Sequence, residues 1–245
     1  MVFNVCNIIK LTYKRVLLKI SGEVLNGINT SKFNISFIKD IADDIKKLLH
    51  FGIEFSIVIG GGNLFRGSSL SSFGLNRIVS DRVGMLSTVI NGLLLNDIFS
   101  QFKIRTYLMS SISVKKICAD YCIEKSLDLL SKKYVLIFCG GLGHPFFTTD
   151  SAACLRAIET NSDIFLKGTK VNGIYSEDPS ITQSAILYNQ LNYQEVLQKE
   201  LKVMDLTAFI LARDHNLPIG VFNMYHTGAL KRILTGCKEG TIITG

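Results

Sequence analysis

The residues best suited to chemistry follow a short apolar run at 55–59, in the stretch GGGNLFRG at residues 60–67. Three consecutive glycines have little packing value in a strand, but they let a backbone approach a ligand closely with its N–H groups exposed. The guanidinium of Arg66 would add a planar set of donors suited to phosphate. We therefore interpret the stretch as a phosphate-binding turn between a strand and a helix. A tight turn with a solvated arginine is the alternative.

Two familiar nucleotide motifs do not fit this loop. A dinucleotide fingerprint requires glycine at the first, third and sixth positions, and the sixth position counted from Gly60 is Phe65. A Walker A loop requires Gly-Lys followed by Ser or Thr, and the chain contains no Gly-Lys pair. If a nucleotide binds here, it binds by another scheme.

The elements that must position this loop read as alternating strands and helices. Short apolar runs at 15–20, 55–59, 104–109, 134–139, 163–167, 219–222 and 241–244 predict strands. Segments with helical spacing lie between them, at 36–49, 81–101, 151–159, 193–199, 205–215 and 229–234. Ser36 is the expected N-cap of the first. The apolar stripe of the second is expected to lie in the core, and a role in a subunit interface is the alternative. This alternation predicts a mainly parallel α/β sheet.

Four polar or glycine-rich loops follow predicted strands, at 19–22, 60–67, 140–150 and 168–178. In a parallel sheet the carboxyl ends of the strands share one edge, where ligands bind. The loops and their borders offer basic and acidic side chains: Lys19, Arg66, Lys167, Lys170, Asp81, Asp150 and Asp178. Phosphoryl transfer needs charge neutralisation and positioning more than covalent chemistry, so this set favours it. No hydrolase triad is evident around the four histidines.

Composition limits the classes of protein. The 245 residues carry a net charge of +7, which fits nucleic acid or a polyanionic small substrate. The basic residues are dispersed, so we expect no nucleic acid partner. The six cysteines are scattered without zinc-site spacing, which indicates reduced thiols in the cytoplasm. We find no secretion signal and no uninterrupted apolar run of about 18 residues, so no membrane association is expected.

The chain closely resembles the bacterial uridylate kinases of the amino-acid-kinase family. The resemblance runs from about Tyr13 to Thr244, and its most specific stretches lie at 13–23, 59–67, 145–158, 199–205, 211–218 and 222–224. It implies a three-layer αβα sandwich around a mainly parallel sheet, formed by one domain at 13–245 after an extension at 1–12. It also implies transfer of a phosphoryl group from MgATP to UMP in pyrimidine nucleotide biosynthesis. Mg²⁺ would arrive with ATP, and we predict no metal site formed by side chains.

The resemblance assigns roles to individual residues. Those implied for ATP are Lys19, Ile20, Ser21, Gly22, Gly62, Arg66, Thr169, Tyr175 and Asp178. Those implied for UMP are Gly61, Asp81, Leu142, Gly143, His144, Pro145, Phe146, Phe147, Thr148 and Thr149. The catalytic set is Lys19 and Arg66, which stabilise charge on the transferring group, and Asp150, which orients it. Lys167 or Lys170 would assist.

The chain departs from the family at several positions. Leu142 replaces a usual threonine and His144 a usual asparagine, so hydrogen bonds to UMP could be lost. Many members form homohexamers, are activated by GTP and are inhibited by UTP. The GTP site draws on basic residues at positions that here hold Asn96, Ser100 and Tyr107. We therefore expect UTP inhibition and a homohexamer, with weak or absent GTP activation.

Two alternatives remain open from sequence. The first is a kinase of the same fold that acts on an amino acid or carbamate, against which the loop at 146–149 speaks. The second is a nucleotide-binding regulatory protein that contacts DNA or a repressor without catalysis. The presence of Lys19, Arg66, Asp81 and Asp150 speaks against that one.

Overall fold

The computed structural model describes residues 11–26, 33–65, 74–201 and 203–245. Within these ranges the strands are β1 (Arg15–Ile20), β2 (Glu54–Ile59), β3 (Thr106–Ser110), β4 (Ala119–Asp120), β5 (Val135–Cys139), β6 (Ile164–Thr169), β7 (Ile174–Tyr175), β8 (Leu187–Tyr188), β9 (Gln190–Asn192), β10 (Ile219–Asn223) and β11 (Thr241–Thr244). The helices are α1 (Gly22–Leu25), α2 (Ile35–Leu49), α3 (Arg77–Gln101), α4 (Ile123–Ser131), α5 (Thr149–Glu159), α6 (Tyr193–Gln198), α7 (Leu206–Asp214) and α8 (Ala229–Leu234).

The described strands form one nine-stranded sheet in the order β4-β3-β5-β2-β1-β6-β10-β11-β9, and β7 and β8 form a separate hairpin. The pairs from β4 through β10 are parallel, while β10 pairs antiparallel with β11. Four adjacent strands, β5, β2, β1 and β6, carry the four predicted loops at one edge. The prediction of a mainly parallel sheet is therefore confirmed.

Helices cover both faces of the sheet. Alternate side chains of β1 point to opposite faces, so Leu18 and Ile20 join a core with α2, α3 and α8, while Leu17 joins a second core with α5, α6 and α7. This is the three-layer αβα sandwich that the sequence implied. Because Lys19 alternates with Leu18 and Ile20, it lies on the same face as Leu17 and α5.

Several helix boundaries differ from the sequence predictions, and in α2 and α3 the N-cap gives the reason. The N-cap of α2 lies two residues earlier than predicted, because the side chain of Asn34, and not that of Ser36, accepts a hydrogen bond from the N–H of Phe37. Helix α3 begins at Arg77, four residues early, where the side chain of Asn76 caps it. Both caps satisfy backbone donors that have no partner within the helix.

The expectation that the whole apolar stripe of α3 lies in the core is wrong. Val89 is 4% exposed, but Leu86, Ile90 and Leu93 are 50%, 48% and 39% exposed. The reason is that α3 is apolar on two faces and only one of them packs on the sheet. Among the described helices, α3 is the one whose length and mean hydropathy (1.3) would allow a membrane span, a test that core helices also pass.

Candidate functional site

Three charged side chains form the centre of the site: Lys19 and Asp150 are buried, and the side chain of Lys167 is 11% exposed. Lys19 of β1 and Lys167 of β6 are directly paired in the parallel register, so their side chains leave the sheet on the same face. Asp150, in the first turn of α5, lies between them. Its Oδ1 is 2.8 Å from Lys19 Nζ and its Oδ2 is 2.6 Å from Lys167 Nζ. The carboxylate therefore holds together two like charges that would otherwise repel.

The ionisation of this cluster follows from its burial and charge. Burial opposes the charged form of Asp150, but the Lys19 and Lys167 ammonium groups outweigh it and hold the pKa of Asp150 below its usual value. Burial lowers the pKa of Lys167. The negative charge of Asp150 raises that pKa and the positive charge of Lys19 lowers it, so the pKa remains below its usual value. An anion added beside the two lysines would relieve this excess of positive charge.

The cluster is held in place by the start of α5. The Thr148 hydroxyl caps the helix by accepting hydrogen bonds from the N–H groups of Asp150 and Ser151, at 3.0 and 3.3 Å. Lys167 Nζ also donates to the carbonyl oxygen of Val203. A capped helix amino end carries a partial positive charge, so α5 adds to the cationic character of the site.

Asp205 is a site residue that sequence reasoning did not single out. Its carboxylate accepts hydrogen bonds from the hydroxyls of Thr148 and Ser151, the latter at 2.7 Å, and caps α7 through the N–H of Ala208 at 2.9 Å. The sequence signal was an aspartate immediately before an apolar helix, which indicates an N-cap. The cap alone did not reveal that the same carboxylate reaches α5.

A cleft of about 640 Å³ opens beside the lysines. Five of the residues predicted for ATP line it: Lys19, Ser21, Thr169, Tyr175 and Asp178. Lys167 and Lys170 also line this cleft, but only Lys167 reaches Asp150. The structure thus distinguishes two lysines that the sequence left as alternatives.

Three other described residues predicted for ATP do not line the cleft. Ile20 is fully buried, and its carbonyl accepts a hydrogen bond from the Gly60 N–H at 2.8 Å. Gly22 lies against the glycine loop, since a Cβ atom there would be 2.7 Å from the Gly62 backbone nitrogen. If Ile20, Gly22 and Gly62 contact a nucleotide, they can do so only through backbone groups. These three contacts remain predictions.

The glycine loop itself is shaped by contacts with the protein. A Cβ atom at Gly61 would lie 2.6 Å from the Gly84 carbonyl oxygen in α3. Asn91, fully buried in α3, donates from its amide to the Gly60 carbonyl oxygen and to Asn63 Oδ1, each at 2.7 Å. A Cβ atom at Gly60 would also lie 2.8 Å from the Gly22 backbone nitrogen, so packing requires two of the three glycines, in partial agreement with the alternative of a tight turn. Asn91 gave no signal in the sequence. Arg66 lies outside the described residues, and its role stays a prediction.

The residues predicted for UMP form a second group on the same edge. Asp81 accepts a hydrogen bond from the Phe146 N–H at 2.8 Å, so it holds the loop that follows β5. Arg77 donates from Nε to both Asp81 oxygens at 2.9 Å and its guanidinium lies 5.7 Å from the centre of the Phe146 ring. The carboxylate of Asp81 therefore faces the loop that was predicted to bind UMP.

The loop at 140–149 is open to solvent. Phe146 and Phe147 are 64% and 51% exposed, so they do not fill the core and are available to pack against a base or sugar. His144 and Thr148 are exposed, while Leu142, Gly143, Pro145 and Thr149 are half-buried. Because the loop leads directly into Asp150, the two predicted nucleotide sites converge on the Lys19–Asp150–Lys167 cluster.

The donor set fits a Mg²⁺ ion that is carried by ATP. No cluster of three or more His, Cys, Asp or Glu side chains suited to a metal occurs among the described residues. Both oxygens of Asp150 already contact lysines, which leaves phosphate oxygens as the natural ligands for the hard Mg²⁺ ion. When bound, the ion would neutralise charge on the phosphates, and the lysines would do so from the protein side.

Comparisons with known proteins agree with this geometry. The chain is 57% identical over 234 residues to "Uridylate kinase" of Buchnera aphidicola subsp. Schizaphis graminum, covering 96% of this chain and 98% of that one. "Uridylate kinase" of Yersinia enterocolitica is 52% identical over 235 residues, covering 96% and 95%. The crystal structure of UMP kinase from Bacillus anthracis superposes with a TM-score of 0.91 at 40% identity, covering 95% and 96%.

The family comparison covers most of the chain. The sequence profile described as "Amino acid kinase family" matches residues 14–223. That range includes β1, the glycine loop, the loop before α5 and the lysine of β6, so every part of the buried cluster lies inside the match. The chain therefore belongs to the amino acid kinase family.

Proposed function

We propose that this protein is a uridylate kinase, which transfers the terminal phosphoryl group of ATP to UMP and yields ADP and UDP. The observation that carries the proposal is the buried Lys19–Asp150–Lys167 cluster, at the point where the ATP cleft meets the loop that leads into α5. The near-full-length similarity to uridylate kinases of 52–57% identity supports the choice of acceptor.

The chemistry requires little of the protein beyond positioning. A phosphate monoester is mostly dianionic at neutral pH, because its second pKa is about 6. Its oxygen can therefore attack the terminal phosphorus of ATP without a general base, and the bond to the ADP oxygen breaks as the new bond forms. Each oxygen of Asp150 contacts a lysine and its pKa is lowered, so it is suited to orienting those lysines and poorly suited to accepting a proton.

The lysines and the helix amino end would act on the developing charge. Lys19 and Lys167 converge on one carboxylate and can turn their remaining donors toward phosphate oxygens. Preorganised cations in a water-poor site stabilise transition-state charge more effectively than mobile ones. Within the proposal Lys19 contacts the transferring group, and Arg66 assists from the ATP side. Lys170, exposed at the rim of the cleft, contributes to ATP binding alone.

The remaining residues are assigned to substrate binding. Ser21, Thr169, Tyr175 and Asp178 bind ATP from the walls of the cleft, with backbone contacts from Gly22 and Gly62. The UMP set comprises Gly61, Asp81 for the ribose, and the loop Leu142, Gly143, His144, Pro145, Phe146, Phe147, Thr148 and Thr149. Leu142 cannot donate a side-chain hydrogen bond to uracil, so that contact must come from the backbone or from His144.

The test is an ADP-release assay with MgATP against UMP, CMP, dCMP, AMP, GMP, glutamate and carbamate. Strong preference for UMP is the expected result. Comparable turnover of CMP would mean that Leu142 and His144 have loosened base selection. Turnover of glutamate or carbamate would replace the proposal with the amino-acid or carbamate alternative, and ATP binding without turnover of any acceptor would favour a regulatory protein.

We further propose that the protein assembles into a homohexamer in the cytoplasm. Leu86, Ile90 and Leu93 recur at helical spacing on the exposed face of α3, a pattern that favours burial against another copy. The five described cysteines are all free, which suits a reducing compartment.

Sedimentation of the wild type and of Ile90→Lys would test the assembly: the wild type should be hexameric, and the variant should dissociate. UTP inhibition is part of the same proposal and would appear in the ADP-release assay.

A further inference from the structure

A buried arginine connects α5 to the loop assigned to the acceptor nucleotide. Arg156 is 5% exposed and lies two turns after the start of α5. Its guanidinium carbon is 3.5 Å from the centre of the Tyr121 ring, and its Nη1 contacts the Glu159 carboxylate at 2.5 Å. The Tyr121 hydroxyl donates to the same Glu159 oxygen at 2.6 Å. The guanidinium is therefore held by the Tyr121 ring and the Glu159 carboxylate, which Tyr121 also orients.

The third contact of the guanidinium leads to the acceptor loop. Arg156 Nη2 donates to the Ser111 hydroxyl at 3.0 Å, and that hydroxyl donates to the Gly141 carbonyl oxygen at 2.7 Å. Ser111 is thus oriented by the arginine, since a hydroxyl that accepts from Arg156 has its single proton left for Gly141. The Arg156–Ser111 pair forms a relay from the helix to the loop.

The loop at the end of this relay has a conformation that needs support. Gly140, Gly141 and Gly143 have φ values of +76°, +58° and +79°. A Cβ atom at Gly143 would lie 2.8 Å from the Ser111 carbonyl oxygen, so the loop packs directly on Ser111. Glycine-rich backbone has many alternative conformations, and the contact with Ser111 selects one of them.

The relay lowers the stability that the same positions could give with apolar side chains. Burying a guanidinium costs free energy that a hydrophobic residue would not incur. The two Nη atoms of Arg156 donate to Glu159 and Ser111, but its Nε is buried without a hydrogen-bond partner among the described residues. The hydrogen bond from Arg156 to Ser111 is thus made although it leaves Nε without a partner.

We infer that Arg156 and Ser111 are positioning residues for the acceptor nucleotide: they fix the loop at 140–143 and thereby set its affinity for a pyrimidine nucleoside monophosphate. Neither residue need contact the nucleotide. This inference rests on the proposed function, because it takes the loop to be the acceptor site. It predicts that the relay affects the acceptor and leaves ATP binding unchanged, since the cleft lined by Lys19 and Thr169 lies on other strands.

Ser111→Ala is the decisive variant, and Ser111→Thr is its conservative partner. Loss of the hydroxyl should raise KM for UMP about 3- to 10-fold, the effect of one hydrogen bond that supports binding, with less than a twofold change in KM for ATP. Ser111→Thr retains the hydroxyl and should stay near wild type. Ser56→Ala is the matched control, because Ser56 is a fully buried serine within β2 whose hydroxyl donates to the Val16 carbonyl oxygen and to no side chain among the described residues. It should change neither KM.

A double-mutant cycle separates the relay from general loss of stability. Arg156→Lys in the wild type should raise KM for UMP, but in the Ser111→Ala background it should add little, because the link to the loop is already broken. Additive effects of the two substitutions would overturn the relay. So would an equal rise of both KM values, or a Ser111→Ala enzyme with unchanged KM for UMP.

Hydrogen exchange of the amides at 140–143 provides a readout that does not depend on the substrate. Ser111→Ala should speed exchange there, whereas Ser56→Ala should not. If the wild type turns over no UMP but the loop still loosens, the proposed function fails and the relay acts on another acceptor. If the wild type turns over UMP and neither KM nor exchange responds to Ser111→Ala, the inference fails and the function stands.

Discussion

Replacing Asp150 with asparagine tests the central cluster most directly. The substitution keeps the shape of the side chain and removes one buried negative charge between two lysines whose side chains are 7% and 11% exposed. Leaving buried charges without a partner costs about 3–5 kcal/mol. For a domain of this size each kcal/mol lowers Tm by about 2–4 °C, so the expected decrease is about 6–20 °C.

The same substitution should also reduce the dependence of the free energy of unfolding on acidic pH. The pKa of Asp150 is lowered in the folded protein, so its stabilising contribution is present above the unfolded-state pKa of about 3.9 and is lost as pH falls through the lower folded value. The stability gap between wild type and Asp150→Asn should therefore be full at pH 5–7 and shrink below about pH 4. Unfolding in urea at several pH values measures it.

Ligand binding gives the sharpest form of this prediction. In Asp150→Asn, Lys19 and Lys167 lack their carboxylate, so the phosphates of MgATP would supply the negative charge that the variant has lost. MgATP should raise the Tm of the variant more than that of the wild type, while turnover falls about 100-fold or more. Asp128→Asn, which removes a half-exposed carboxylate paired with a lysine on α4, is the control and should change little. An unchanged Tm for Asp150→Asn, or an equal MgATP shift in both proteins, would refute the reasoning.

Three further predictions follow from the same site. Lys167→Met should reduce turnover and Tm together, whereas Lys170→Met should affect only KM for ATP; equal effects in kinetic and melting measurements would contradict the separation of the two lysines. Asp205→Asn keeps an N-cap residue on α7 but can accept only one of the two hydroxyl hydrogen bonds, so KM for UMP should rise with little change in Tm. GTP should activate the enzyme less than about twofold at sub-saturating ATP, since a screened surface site lacking basic side chains binds a polyanion weakly. Several-fold activation in that titration would show that GTP binds by other residues.

The sequence predicted the elements with regular patterns and missed those without them. Strands such as β1 and β2 are continuous apolar runs that end in glycine or serine, and these were found within one or two residues. Helix α4 was missed because it has nine residues and Cys122 at its N-cap makes no side-chain hydrogen bond. The two-residue strands β4, β7 and β8 depend on tertiary pairing and leave no periodic signal.

The limits were similar at the site. The edge carrying Lys19 and Asp150 could be predicted because both residues follow or precede glycine-rich loops. The choice of Lys167 over Lys170 could not, because it depends on the register that pairs Lys19 with a residue far along the chain. Asn91 and Arg156 gave no signal, since a lone polar residue in a helix acquires its role only from what the fold places beside it.

Helix α3 has a consequence for how this protein can change over evolutionary time. One side of the helix supports the glycine loop through Gly84 and Asn91, and the other exposes Leu86, Ile90 and Leu93. Each residue turns the helix by about 100°, so inserting or deleting a single residue within it would rotate all later side chains by about 100° and displace them from their side. Point substitutions can alter either side alone, but a length change disturbs both at once. We therefore expect related chains to vary in the composition of this helix and to conserve its length between Gly84 and Leu93.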